Sequence, residues 1–455
     1  MKQKSVILCG LLLIIHLSQA QQFKLMRYDE DHSSLKDSSK SLYSNLKYIS
    51  LSQHGNTWLS FGGEIRGEVD YVHNEDWGDA NLGADFFSLQ RYHFHVDLHL
   101  TNRIRLFGQL RSGLENGRKT GPRPIDEDQL NVQNLFLDIV PYKTADNSLT
   151  LRVGRQEIAY GSGRTIDVRE GPNLRLYFDG VKAAYSSANL KVDAFVMAHA
   201  NVRPGVFDNS SAGKANLWGV YTTYTTSRRR NFDFYYLGIN RSNAKFDEGI
   251  ANELRHSVGA RFWKTGTGFV YNFETAYQFG RFGAGNISAA GLSSEIGYVF
   301  ENIYGQPLIR LRSDYISGDK NKGDGKLGTL NPFYPNGGYF GMNPQVGPSN
   351  LLSFHPNFIW HPGKRITLTT DVVFNWRNSL EDGIYNAAGI FRRSSSDSRE
   401  RYIGTAFISS FSWRINKFLN YNIGVQYFKT GSFIQDVIAQ PKDGFFVGSV
   451  VSLKF

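Results

Sequence analysis

From Thr57 to the final residue the chain alternates apolar and polar side chains in short runs, about eighteen times in succession. Period-two alternation marks a strand with one greasy face, because successive side chains point to opposite sides of the backbone. The runs fall at 58–72, 85–100, 103–113, 129–139, 149–157, 176–186, 190–200, 215–225, 231–241, 252–263, 269–280, 290–300, 307–317, 351–360, 364–377, 400–413, 418–429 and 444–455. Short gaps (101–102, 187–189, 226–230, 264–268, 361–363, 414–417) are interleaved with long ones (114–128, 158–175, 201–214, 318–350, 378–399, 430–443). Short turns on one rim and long loops on the other are what an up-and-down membrane barrel requires, the short rim being periplasmic. The last run, FFVGSVVSLKF, puts Phe455, Leu453 and Val451 on one face and Lys454 and Ser452 on the other, as a barrel's closing strand does. No fixed short repeat of a β-helix is visible. The expected fold is all-β: a transmembrane antiparallel up-and-down β-barrel of about 18 strands, with short periplasmic turns and long extracellular loops.

The N-terminal region has a different character. Residues 1–20 read as a signal peptide, with Lys2 and Lys4 before an apolar run and Ser18-Gln19-Ala20 at the cleavage site. Cys9 lies within that run rather than at its end, so no lipid anchor is expected; a mature chain from Gln21 would lack cysteine, which excludes disulfides and thiolate chemistry. Residues 21–56 are polar and irregular and are expected to form a periplasmic or plug-like segment, with the barrel spanning 57–455. The expected location is the outer membrane of a Gram-negative bacterium. Aromatics make up 14% of the chain although mean hydropathy is negative. A barrel reconciles the two, because only alternate residues of each strand meet lipid. Basic residues outnumber acidic ones by 51 to 41, but they are scattered rather than blocked, so nucleic acid is not an expected partner.

Parity sorts the charges. Tyr92, Phe94, Val96 and Leu98 share the lipid face, leaving Arg91, His93, His95, Asp97 and His99 inward. Ile104, Leu106 and Leu110 point out while Arg103, Arg105 and Arg111 point in; Ile65, Val69 and Tyr71 point out while Glu64, Arg66, Glu68 and Asp70 point in. Arg152, Asp193, Arg312, Asp314 and Arg377 follow the same rule. An Arg facing lipid at mid-membrane would cost about 2–4 kcal/mol, so inward is the less costly side. The expected lumen is water-filled, crowded with guanidinium groups and anion-selective. Inward charges that merely solvate and pair across the wall are the plainer alternative. The i, i+2 spacing of the histidines spreads them ~7 Å apart, so no metal and no cofactor is expected. Residues 113–120 (GLENGRKT) have Arg118 where a phosphate loop needs glycine, and no nucleophile–base pair stands out, so no enzyme is expected.

Several stretches resemble blocks of the alginate export family of outer-membrane barrels: 61–69 (FGGEIRGEV), 151–157 (LRVGRQE) and 160–180 (YGSGRTIDVREGPNLRLYFDG). Weaker matches are 317–319, 331–351, Trp376-Arg377 and 382–385. The resemblance implies an 18-stranded barrel whose electropositive lumen passes an anionic uronate polysaccharide. Within the matching stretches it points to Arg66, Arg155, Arg164, Arg169, Arg175 and Arg377, with Arg312 beside another; parity adds Arg91, Arg105, Arg111 and Arg152. Glu64, Asp179, Asp193 and Asp314 are the expected acidic partners. Arg164, Arg169 and Arg175 sit in one long loop that can fold into the pore. Expected partners are an anionic polysaccharide or oligosaccharide, outer-membrane lipid and periplasmic polymer-synthesis or export proteins. Two alternatives stay open, since fold does not fix cargo: an anion-selective uptake porin for small acidic solutes, and a barrel-anchored surface binding protein.

Overall fold

The computed structural model describes residues 23–37, 41–53, 55–79, 81–210, 215–226, 230–395 and 398–455; the expected signal peptide lies outside them. Eighteen strands form the wall: β1 (Trp58–His73), β2 (Ala84–His99), β3 (Ile104–Asn116), β4 (Asp128–Lys143), β5 (Ser148–Gln156), β6 (Phe178–Ser186), β7 (Leu190–His199), β8 (Ala215–Thr225), β9 (Asn231–Phe246), β10 (Gly249–Lys264), β11 (Gly268–Phe282), β12 (Gly285–Val299), β13 (Leu308–Ile316), β14 (Leu351–Gly363), β15 (Ile366–Arg377), β16 (Tyr402–Arg414), β17 (Leu419–Thr430) and β18 (Gly444–Lys454). Each pairs antiparallel with its sequence neighbours. The wall closes where β1 meets β18, in pairs such as Ile65 with Leu453 and Tyr71 with Val447. Closure removes every edge, and in hydrocarbon that is the only way a sheet can satisfy its backbone groups. Outward Ile65, Val69, Tyr92 and Phe94 are exposed, whereas inward Glu64, Arg66, Arg91 and His93 are buried.

The structure departs from the sequence reading in three places. Arg103 precedes β3 and lies exposed in the turn, where it donates to the carbonyl of Pro141 at 3.2 Å. On the long rim, β9–β10 and β11–β12 are joined by two-residue turns, Asp247-Glu248 and Gly283-Ala284, not by long loops. Those strands run to 15 or 16 residues where about 9–11 cross a bilayer, so the wall there stands above the membrane. Its raised tip holds other loops: Asp247 accepts from Ser394 Oγ at 2.7 Å and the Ser395 amide at 2.9 Å, and pairs with Lys322 at 2.9 Å.

The third departure concerns the interior. On β7–β9 the inward residues Phe195, Met197, Leu217, Tyr221, Tyr235, Leu237 and Ile239 are apolar and buried. Such a face would not be stable against water, and loop residues Ile158, Ile166, Phe333 and Tyr334 cover it. A second cluster joins Met26 and Tyr28 of the N-terminal segment to Phe107, Phe136 and Val168. Tyr28 meets both rings edge-on, 5.7 and 5.2 Å away, and donates to the Glu157 carbonyl at 2.5 Å. Much of the expected water-filled lumen is therefore packed protein. Counting strands sizes the ring but not what folds back into it.

Candidate functional site

Two long loops meet inside the ring. In 157–177, the Tyr334 amide donates to Thr165 O at 2.9 Å, the Asp167 amide to Tyr334 O at 2.9 Å, and the Asn336 amide to Gly163 O at 2.8 Å. The loop from β5 thus makes a short ladder with the loop from β13. Its tip, Arg164, reaches the far wall: it bonds Glu295 at 2.9 Å and the hydroxyl of Tyr339 at 2.9 Å, with Glu274 at 3.6 Å and Asp314 at 3.7 Å. Its other end is held at β1 and β2, nearly half-way round the ring from Arg164's partners. There Arg66 donates to the carbonyls of Glu170 and Gly171, both at 2.9 Å, and Arg91 bonds the Glu170 carboxylate. Burial alone would raise the Glu170 carboxyl, but Arg91 and Arg175 outweigh it and hold the group below the ordinary carboxylate range. The loop is a charged crossbar.

Open space remains beside the bar. A cavity of about 590 Å³ lies between the bar, residues 338–342 and the inner faces of β13, β15–β18 and β1. Its charged lining is Arg66, Arg312 and Lys454 against Glu64, Glu68, Glu170 and Asp371. Ser410, Asn420, Asn422 and Ser452 add neutral polar groups, and Tyr339, Met342, Val373, Ile408 and Phe446 add apolar surface. Three cations among four carboxylates do not make the electropositive lining expected from sequence.

The pairing explains why. Arg152 grips Asp138 with two bonds of 2.7 and 2.8 Å and lies over the Phe136 ring at 3.8 Å. Arg155 grips Asp179 at 2.8 and 3.1 Å. Arg105 holds Asp97 at 2.7 and 2.9 Å, and Arg111 holds Asp128 at 2.6 and 3.0 Å. Arg91 also meets Glu64 at 2.9 Å. Arg175 meets Glu157 at 2.9 Å and the Leu25 carbonyl at 2.9 Å. Arg169 donates to the Pro335 carbonyl at 3.0 Å. Asp193 accepts from Tyr160 at 3.0 Å and pairs with Lys182 at 3.3 Å, so its basic partner is a lysine. Asp314 accepts from Ser293 at 2.5 Å and Ser353 at 3.0 Å besides facing Arg164.

Arg377 needs the plainest correction as a pathway residue. It is fully buried over the Phe433 ring and donates to the carbonyls of Leu380, Asp382, Ser398 and Glu400 at 2.5–3.2 Å. It organises the 378–401 loop and has no donor left for a solute. Of the cations singled out from sequence, Arg66 and Arg312 border the cavity. Lys454 borders it too and was missed, although its parity opposite Leu453 and Phe455 was the available signal. Glu170 was missed because a loop residue has no parity to read. The histidines serve packing: His99 stacks on Trp58 at 3.8 Å and His95 on Phe107 at 5.4 Å. Among the described residues no group of three or more His, Cys, Asp or Glu is placed to hold a metal ion.

Residues 57–444 match the alginate export family. The chain belongs to that family. Solved structures of similar fold include a BenF-like porin from Pseudomonas fluorescens Pf-5, at 11% identity over 87% of this chain and 98% of that one, with a TM-score of 0.58. OccAB1 of Acinetobacter baumannii matches at 12% identity over 91% and 100%, TM-score 0.58. OccK2 (OpdF) of Pseudomonas aeruginosa, solved in complex with glucuronate, matches at 10% identity over 87% and 96%, TM-score 0.55. A comparison with curated proteins finds no match. At such identities the structural likeness shows the fold alone. This member of the alginate export family is an outer-membrane β-barrel channel of a Gram-negative bacterium.

Proposed function

We propose that this channel passes uronate-bearing saccharides by passive diffusion along the off-centre cavity and performs no catalysis. The carrying observation is the state of two cations there. Arg312 faces Glu295 only at 3.6 Å, and among the described residues neither Arg312 nor the Lys454 ammonium hydrogen-bonds a carboxylate. Both keep capacity for a passing carboxylate, while the asparagines and serines of the lining suit hydroxyls and Tyr339 and Phe446 suit the flat faces of sugar rings. Contacts of this kind bind weakly at several points, which conduction requires. Family membership favours a polymer or oligomer as cargo. The crossbar favours a second reading, small acidic solutes, because it leaves open only part of a ring of this size; the glucuronate bound by OccK2 belongs to that solute class. Periplasmic polymer-synthesis or export proteins would be partners only in the first case.

The test is planar-bilayer conductance with uronate oligomers of graded length added to one side. The expected result is current block that shortens about tenfold in Arg312→Gln/Lys454→Gln, corresponding to ~1.4 kcal/mol of lost binding. Block by long chains that enter and leave on the far side supports the polymer, and block by monomers alone supports small solutes. Equal block by neutral oligomers would overturn the proposal.

A further inference from the structure

One side of the cavity is not barrel wall. It is the stretch Gly341–Asn343 of the β13–β14 loop, laid against β17. The Gln426 side chain makes its hydrogen bonds to the wall: Gln426 Oε1 accepts from the amides of Met342 at 2.9 Å and Asn343 at 3.2 Å, while its Nε2 donates to the Asn343 carbonyl at 2.9 Å. Gln426 is itself buried on the inner face. Two residues along the same face, Gly424 leaves a notch in which the Met342 thioether sits; a Cβ there would collide with Met342 Sδ and Cε. Met342 is nonetheless 38% exposed, because its free side borders the cavity.

The flanks of this stretch are fixed. Phe340 and Val346 are buried in the interior cluster with Ile316, Leu330 and Leu351. Gly341, at φ 144°, provides the backbone swivel beside Phe340, in a conformation that suits glycine. A short span between two anchored apolar residues, attached by one amide side chain and a flexible thioether in a glycine notch, has the form of a detachable panel. The attachment consists of three neutral hydrogen bonds and one thioether seated in a notch, each individually weak.

We infer that residues 341–345 are a removable inner wall that sets the size limit of the conduit, with Gln426 as its clasp and the Gly424 notch as the seat of Met342. The inference rests on the channel reading and adds regulation to it. Loss of the clasp lets the span lift from β17 and widens the cavity toward the inner faces of β16–β18. The barrel wall is untouched, because Gln426 donates its side chain to the loop and its backbone to the sheet.

The test compares wild type, Gln426→Ala, and Gln426→Cys/Asn343→Cys joined by a short bifunctional thiol reagent, in planar bilayers and by liposome swelling with neutral sugars of graded size. No other cysteine follows Cys9, so the cross-link has no background in the mature chain. Heat-modifiable migration in detergent gels verifies that each barrel is folded. Gln426→Ala should raise single-channel conductance about two-fold or more and admit larger sugars, as expected when a constriction widens. The cross-linked pair should match wild type, and reversing the link should bring the alanine phenotype. Conductance and size limit equal to wild type in a folded Gln426→Ala barrel would overturn the removable wall. Failure of the wild type to conduct would instead overturn the channel reading beneath it.

Discussion

Removing the guanidinium of Arg164 should release the crossbar. Arg164 is one positive charge among Glu274, Glu295 and Asp314, at 3.6, 2.9 and 3.7 Å. In Arg164→Gln the three carboxylates fare differently. Glu295 keeps Arg310 at 3.3 Å and Arg312 at 3.6 Å. Asp314 keeps the hydroxyls of Ser293 and Ser353, and Glu274 keeps those of Tyr235 and Ser162. Two buried carboxylates thus lose the cation facing them. Breaking one buried pair typically costs about 3–5 kcal/mol, which shifts the docked-to-released ratio of the loop by roughly two to three and a half powers of ten. Arg164→Lys should fall between, because a point charge cannot reach three carboxylates as a planar fork does. In planar bilayers Arg164→Gln should show larger and noisier single-channel conductance and a reversal potential moved toward cations. Adding Glu274→Gln should recover part of the change, as a coupled pair does. A folded Arg164→Gln barrel with wild-type conductance and selectivity would refute the crossbar as the element that narrows the ring.

Burial pushes the Asp382 carboxyl up to about 6, against the bonds it accepts from Thr329, the Asp319 amide and Tyr385. A raised value means that its contribution is complete below the ordinary carboxylate range and is lost as pH rises through about 6, some 3 kcal/mol in all. Protease nicking of loops 317–350 and 378–401 should therefore be faster at pH 8 than at pH 5, and Asp382→Asn should flatten the difference. Arg27→Ala leaves Glu30 without its 2.7 Å partner and takes one donor each from the carbonyls of Gly63 and Phe455; hydrogen exchange of residues 23–37 should rise by about a hundredfold or more, for roughly 3–5 kcal/mol lost. Val69→Arg on the lipid face should destabilise the barrel by about 2–4 kcal/mol in reversible denaturation from vesicles, where an inward Ser452→Arg should cost less.

Strand number, rim polarity and the two faces were legible because period-two alternation is a local signal and hydrocarbon enforces it strictly. The charge balance was not, although parts of it lay within reach. Asp138 stands directly across from Arg152, and Asp179 across from Arg155, so a register built strand by strand would have paired them. What one strand cannot reveal is a carboxylate brought by a loop, as Glu170 is brought to Arg91. The apolar inward run of β7–β9 was a warning of another kind: lumen-facing strands with Phe195, Met197 and Leu217 on their inner side need a lid. Arg377 was misread because its periodic position at the end of β15 says nothing of four carbonyls converging from the next loop.

Arg27 touches both Gly63 and Phe455, whose backbone groups exchange bonds of 2.9 and 3.0 Å where the first and last strands meet. That pair of acceptors exists only after the ring has shut. Arg27 can therefore bridge the two only once the first and last strands have paired in register, so its pair of bonds reports on closure where the packing of Met26 and Tyr28 does not.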